Sequence, residues 1–133
     1  MASAAGLVAS EPLGAYATSK FAVVGFSEAL REELGPLGVG VTTICPGVID
    51  TPIVKSAQAR GAYADPASRA RMEAIYTRRA YGPAKVASAI LDGVVHDRGL
   101  VPVSPEAWAL YLGKRTAPAV MRRLFGVLRK RAT

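Results

Sequence analysis

The run Val39 to Cys45 (VGVTTIC) is short, largely β-branched, and bounded by Gly38 before it and Pro46-Gly47 after it. It reads as a buried strand. It directly follows Tyr16 to Leu34 (YATSKFAVVGFSEALREEL), in which Phe21, Ala22, Val23, Phe26, Ala29, Leu30 and Leu34 recur at close to helical spacing, until Gly35, Pro36 and Gly38 stop the helix. A helix running straight into an apolar strand is the second half of a β-α-β crossover. Such a unit requires a parallel sheet whose first strand precedes the helix. The fifteen residues before Tyr16 (MASAAGLVASEPLGA) are small and turn-rich, enough for the end of a strand and a loop. The strand at Val39 therefore calls for parallel neighbours that this stretch does not supply, and the chain reads as a piece of a larger sheet.

Beyond the strand, Ile53 to Ala80 is rich in Ala, Arg and Ser with a weak helical pattern and turn residues at Gly61 and Asp65-Pro66. Pro83 opens a clearer helix, PAKVASAILDGVVHD, with Val86, Ala87, Ile90, Leu91 and Val94 on one face, and Gly99 ends it. Leu100 to Val103 (LVPV) is a short strand whose Pro102 argues for a sheet edge. Glu106 to Arg131 is an apolar and then basic helical segment, broken near Thr116 to Pro118. The expected division is residues 1–104 as part of an α/β domain and 105–133 as a basic helical tail.

Charge sharpens that division. The chain has 133 residues and a net charge of +7, yet up to Glu106 its ten basic residues are matched by ten acidic ones. The whole excess lies on Lys114, Arg115, Arg122, Arg123, Arg129, Lys130 and Arg131. Val120, Met121, Leu124, Phe125 and Leu128 give that tail an apolar side, so it is a basic amphipathic helix. Such a helix can lie on an anionic membrane surface, cap an oligomer or lid, or pack on its own domain. Nucleic acid is not the expected partner, because the charge is confined to one short tail without a recognised nucleic-acid module. The length allows one domain and excludes two. A single cysteine, Cys45, excludes an intrachain disulfide or a cysteine-based metal site and fits a reducing, cytoplasmic compartment, possible membrane contact being peripheral. No metal site is expected.

The residues with chemistry cluster early. Tyr16 and Lys20 lie four apart at the start of the first helix, so they project from one face about a turn apart. A phenol is a poor acid or base near neutrality, and a neighbouring ammonium favours its phenolate form. Ser3, thirteen residues before Tyr16, offers a hydroxyl that can orient a carbonyl or donate to a developing alkoxide. Pro46 to Thr51 (PGVIDT) follows the C-terminal end of the strand, where open parallel sheets bind ligands.

Each of these signals alone is common. Together, S-A-A-G at Ser3 to Gly6, Y-A-T-S-K at Tyr16 to Lys20 and I-C-P-G-V-I-D-T at Ile44 to Thr51, in this order and spacing, resemble the classical short-chain dehydrogenase/reductase family. The resemblance is dense from Ser3 to Thr51 and loose from Pro83 to Val103. It implies a partial Rossmann-like, doubly wound parallel-sheet domain lacking its N-terminal dinucleotide-binding half. It implies NAD(P)-dependent interconversion of an alcohol and a carbonyl, with NAD or NADP as cofactor and a small-molecule alcohol or carbonyl as substrate.

Residue by residue, the resemblance gives Tyr16 the role of catalytic acid/base and Lys20 that of holding the nicotinamide ribose and assisting the tyrosine. Ser3 becomes the substrate-orienting serine. Pro46, Gly47, Val48 and Thr51 form the loop over the nicotinamide side, and Ile53 to Ala80 covers the substrate. The helix from Tyr16 to Leu34 corresponds to the family's dimer-forming helix, so a homo-oligomer is a possible partner state. The family's glycine-rich turn, its cofactor-selecting residue and its catalytic asparagine have no counterpart in these residues. That departure leads to the expectation that the isolated chain binds dinucleotide weakly or not at all. Its rival is a non-catalytic fragment or interaction module whose basic helix contacts a membrane surface or a partner. Cys45 is expected to be a buried apolar residue rather than a nucleophile, and His96 has no assigned role.

Overall fold

The computed structural model of the protein describes residues 1–9, 13–53, 65–79 and 81–132. Its elements are α1 (Gly14–Leu34), β1 (Thr43–Pro46), α2 (Pro66–Arg79), α3 (Pro83–Val95), β2 (Leu100–Val103), α4 (Pro105–Thr116) and α5 (Pro118–Ala132), with short 3-10 turns at Ala4–Gly6 and Gly35–Leu37. The helix expected from Tyr16 begins two residues earlier, and the break expected in the tail falls at Ala117. Of the segment Ile53 to Ala80, residues 54–64 and 80 lie outside the described residues, and residues 66–79 form α2.

The expected strand from Val39 is shorter than its pattern, because only Thr43 to Pro46 has a ladder partner. That partner corrects the expectation of missing neighbours. β2 lies parallel to β1, with Ile44 opposite Val101 and Cys45 opposite Pro102. On the other side of β1, the Ala2 N–H donates to the Ile44 carbonyl at 2.8 Å. The residues just before Ser3 thus bond to the outer side of β1 without adding a strand to the two-stranded sheet.

Strand alternation sends side chains to two apolar clusters, one on each face of the sheet. On one face Ile44, Val101, Val103 and Ile49 pack with Val86 of α3, against Tyr81, Ala89 and Ile90. On the other, Cys45 packs with Ala2, Leu7 and Val24 of α1, against Val8, Val23, Leu100 and Tyr111. The result is a helix-sheet-helix sandwich, α1 and α4 against α3, of the Rossmann type. Arg31 near the end of α1 locks its rim. Its guanidinium donates two bonds to the Asp97 carboxylate, both 2.8 Å, and further bonds to the Asp97 carbonyl (2.8 Å) and the Val41 carbonyl (2.9 Å). This fork ties α1, the approach to β1 and the turn after α3 into one corner.

Cys45 is completely buried in the second cluster, as expected for a small apolar residue. Burial pushes its thiol up from 9.0 to about 11, although the Ser3 backbone hydrogen bond works in the opposite direction. The folded protein keeps a proton that the unfolded chain releases near pH 9. Stability is therefore intact below pH 9 and declines as pH rises through about 11, by ~2–3 kcal/mol at full effect. Urea unfolding at pH 8 and pH 10.5 checks this, and Cys45→Ala should flatten the difference between the two. A decline of equal size in that variant would assign it to other groups.

On the tail, Val120, Leu124 and Val127 of α5 are exposed, as are Trp108 and Leu112 of α4. The side chains of Leu128, Arg129, Lys130 and Arg131 lie outside the described residues. Among the described residues no helix is long and apolar enough to cross a membrane.

Candidate active site

Tyr16 and Lys20 stand in the first two turns of α1. The helix starts where the Leu13 carbonyl accepts from Ala17 N–H, and the Thr18 and Ser19 hydroxyls bond back to the Gly14 and Tyr16 carbonyls. The four-residue spacing brings the Lys20 ammonium over the Tyr16 ring, 5.5 Å from its centroid. Tyr16 itself is 42% exposed, so its phenol is accessible from solvent.

Ser3 is held at the C-terminal end of β1. It caps the Ala4–Gly6 turn, its Oγ accepting from the Ala5 N–H at 3.2 Å, and it donates to the Pro46 carbonyl at 3.4 Å. The turn then runs against α1. A Cβ on Gly6 would lie 2.7 Å from the Lys20 carbonyl oxygen and 3.1 Å from a Val24 methyl, so the approach needs glycine. The Ser3 turn thereby links Pro46, at the end of β1, to the Lys20 backbone of α1.

The loop from Pro46 to Thr51 is fixed at three backbone points. The Gly47 N–H donates to the Val103 carbonyl (3.0 Å), the Val48 N–H to Glu106 Oε1 (2.9 Å), and the Asp50 N–H to the Tyr81 carbonyl (3.0 Å). Ile49 is buried in the core, and Thr51 is half-buried at the loop's end. The Val48 amide is thus committed to a carboxylate within the chain.

Three residues join this region that the sequence pattern does not mark. Tyr76 of α2 is half-buried, and its phenol is pushed up first by burial and then by the charge Tyr16 would carry. Its hydroxyl therefore lies within electrostatic reach of Tyr16. Glu106 and Lys114, at opposite ends of α4, reach the loop after β1 and the turn after Ser3, the latter through Lys114 Nζ and the Leu7 carbonyl at 2.8 Å. Lys114 also lies over the Phe21 ring, 4.4 Å from its centroid. The only local signal was Ser104-Pro105-Glu106, which marks a helix start and says nothing about where the carboxylate goes.

The profile of the family described as short chain dehydrogenase matches residues 1–62, the part that holds Ser3, Tyr16, Lys20 and the loop after β1. The "Probable oxidoreductase EphD" of Mycobacterium tuberculosis (strain ATCC 25618 / H37Rv) is 44% identical over 116 residues, covering 84% of this chain and 20% of that protein. SadH of the same species (strain CDC 1551 / Oshkosh), likewise named an oxidoreductase, is 33% identical over 123 residues, which is 90% of this chain and 43% of SadH. The chain thus spans a fifth of the length of one relative and under half of the other. The crystal structure of a short-chain dehydrogenase/reductase from Burkholderia phymatum in complex with NAD shares the fold. Its TM-score is 0.72 at 23% identity, over 90% of this chain and 47% of that one. The profile match over the first two elements, the mycobacterial relatives along most of the chain and the common α/β architecture agree. They place the chain in the short-chain dehydrogenase/reductase family, of whose Rossmann-type domain it carries part.

Proposed function

We propose that these residues form the catalytic and nicotinamide-facing part of an NAD(P)-dependent enzyme that interconverts an alcohol and a carbonyl. One observation carries the reading: the Lys20 ammonium sits over the Tyr16 ring while the Ser3 turn presses on the Lys20 carbonyl and bonds to the loop after β1. A phenol with a cation over its ring, on a helix packed against the turn whose serine bonds to a strand's C-terminal end, suits an oxygen that gains and loses a proton.

In the oxidative direction Tyr16 takes the proton of the substrate hydroxyl, and in the reductive direction it returns one to the carbonyl oxygen. Lys20, its ammonium over the Tyr16 ring, supplies a positive charge beside the phenol at both steps. Ser3 holds the substrate oxygen by exchanging its long 3.4 Å bond to Pro46 for one to substrate, a small cost for so weak a bond. The donor set also fits a nicotinamide nucleotide, since Lys20 can hold ribose hydroxyls and the Thr51 hydroxyl can meet the carboxamide or phosphate. When bound, that cofactor supplies or accepts the hydride. Tyr76, whose phenol senses the charge Tyr16 would carry, and the rest of α2 belong to the stretch assigned to the substrate side.

The test is a fluorescence titration of the native full-length protein with NADH and NADPH, repeated on Lys20→Met. Wild type should bind at least one nucleotide, and the variant should bind it about tenfold or more weakly, the effect of losing charge-assisted bonds. Absence of binding to both nucleotides by wild type would overturn the reading.

A further inference from the structure

Helix α4 begins at a sharp corner. Ser104 leaves β2 with φ 104°, a region that residues with a side chain rarely occupy, and it is buried at 4% exposure. Its hydroxyl caps the new helix by accepting from the Ala107 N–H at 3.5 Å. Residues held in such conformations persist only where surrounding structure over-determines them, and they concentrate at sites. Here the corner drops the first turn of α4 directly onto the loop after β1. A Cβ on Gly47 would stand 2.6 Å from Glu106 Oε1 and would also collide with the Ser104 hydroxyl.

We infer that Glu106 is a positioning residue, and that α4 is a strap holding both loops of the candidate site. Its first foot is Glu106 Oε1, which accepts from the Val48 N–H at 2.9 Å across 58 residues of sequence. Its second is Lys114 Nζ, which donates to the Leu7 carbonyl at 2.8 Å across 107 residues. Each foot fixes a backbone segment that carries Ser3 or Thr51. The carboxylate is the better acceptor for this purpose, because a charge-assisted bond to an amide is shorter and stronger than a neutral one. Holding Val48 also directs Ile49 into the core and leaves Thr51 at the loop's outer end. The strap lies outside residues 1–62, the part that the family profile matches. Its effect on catalysis rests on the dehydrogenase reading; its effect on the loops does not.

The experiment compares the native full-length protein with Glu106→Ala and Glu106→Gln. Amide hydrogen exchange is followed over residues 46–51, with α1 as the internal reference. Glu106→Ala should speed exchange at Val48 about tenfold or more with the reference unchanged, and Glu106→Gln, which keeps an acceptor oxygen, should restore most of the protection. Lys114→Met should do the same for residues 3–8. In steady-state kinetics Glu106→Ala should raise the cofactor KM about tenfold with a smaller change in kcat, and Glu106→Gln should lie close to wild type. Unchanged exchange at 46–51 in Glu106→Ala overturns the proposal, as does equal loss in Ala and Gln. So does a loop that opens without any rise in KM. Failure of wild type to bind either nucleotide would instead sink the dehydrogenase reading, which the exchange measurement does not need.

Discussion

Tyr16→Phe is expected to lower turnover of the native full-length protein by about 10²- to 10⁴-fold, the range that one positioned proton-transfer group supplies. The ring stays, so its packing and its contact with the Lys20 ammonium 5.5 Å from the centroid should persist. Nucleotide affinity should therefore change little, and the loss should appear in kcat and kcat/KM together, as for a group that acts in the transition state. Stopped-flow measurement of nicotinamide absorbance over a panel of secondary alcohols checks this. Retained turnover would assign the acid/base to another hydroxyl, with Tyr76 the first to try, because its phenol is close enough to sense the charge of Tyr16.

The largest effect on stability is expected at Gly6. Alanine there places a methyl 2.7 Å from the Lys20 carbonyl oxygen and 2.9 Å from the Lys20 carbonyl carbon. Both are backbone atoms within a 21-residue helix, so no side chain can swing aside. Relief must come from moving the Ser3 turn away from α1, at a cost of about 1–3 kcal/mol for overpacking. Gly25→Ala is the matched control: it sits in the same helix, meets nothing within 4 Å, and should stabilise by roughly 0.5–1 kcal/mol through helix propensity. Urea midpoints of the two variants should move in opposite directions. The Gly6 variant should also lose activity beyond its loss of folded protein, because the turn that shifts carries Ser3. Parallel midpoints would mean the turn is loosely held.

These two variants also separate what was legible in the sequence from what was not. The pairing of Tyr16 with Lys20 could be read directly, since helical geometry fixes contacts four residues apart. So could the C-terminal end of α1, the start of α3 and the extent of β2, each marked by Pro, Gly or a short apolar run. The gathering of Ser3 could be read only through the resemblance, because nothing in a serine thirteen residues upstream says that a glycine three positions later fits against Lys20. The start of β1 was misplaced for a related reason. Val39 to Val41 have strand composition, but strand state depends on a partner, and β2 reaches only as far as Thr43. Glu106 and Lys114 were illegible altogether. Their targets are main-chain groups at Val48 and Leu7, and any residue there would offer the same amide or carbonyl. In composition Lys114 is one of the seven excess cations of the tail; in the fold its ammonium bonds to the turn that carries Ser3.

Pro102 has a consequence for how the protein behaves at high concentration. In β2 the carbonyls of Gly99 and Val103 face β1, so by the two-residue period residues 100, 102 and 104 turn their backbone outward. At the centre of that outer rim stands a residue with no N–H to give. A strand arriving from another copy would find a gap in the donor row where its ladder should lock, which is one way natural sheets discourage edge-to-edge aggregation. The rim of β1 facing Ala2 also carries a proline, Pro46, and there the Ile44 carbonyl is already taken by the Ala2 N–H. Each outer rim of the strand pair thus has a gap in its donor row, and on one of them the segment leading into Ser3 already lies.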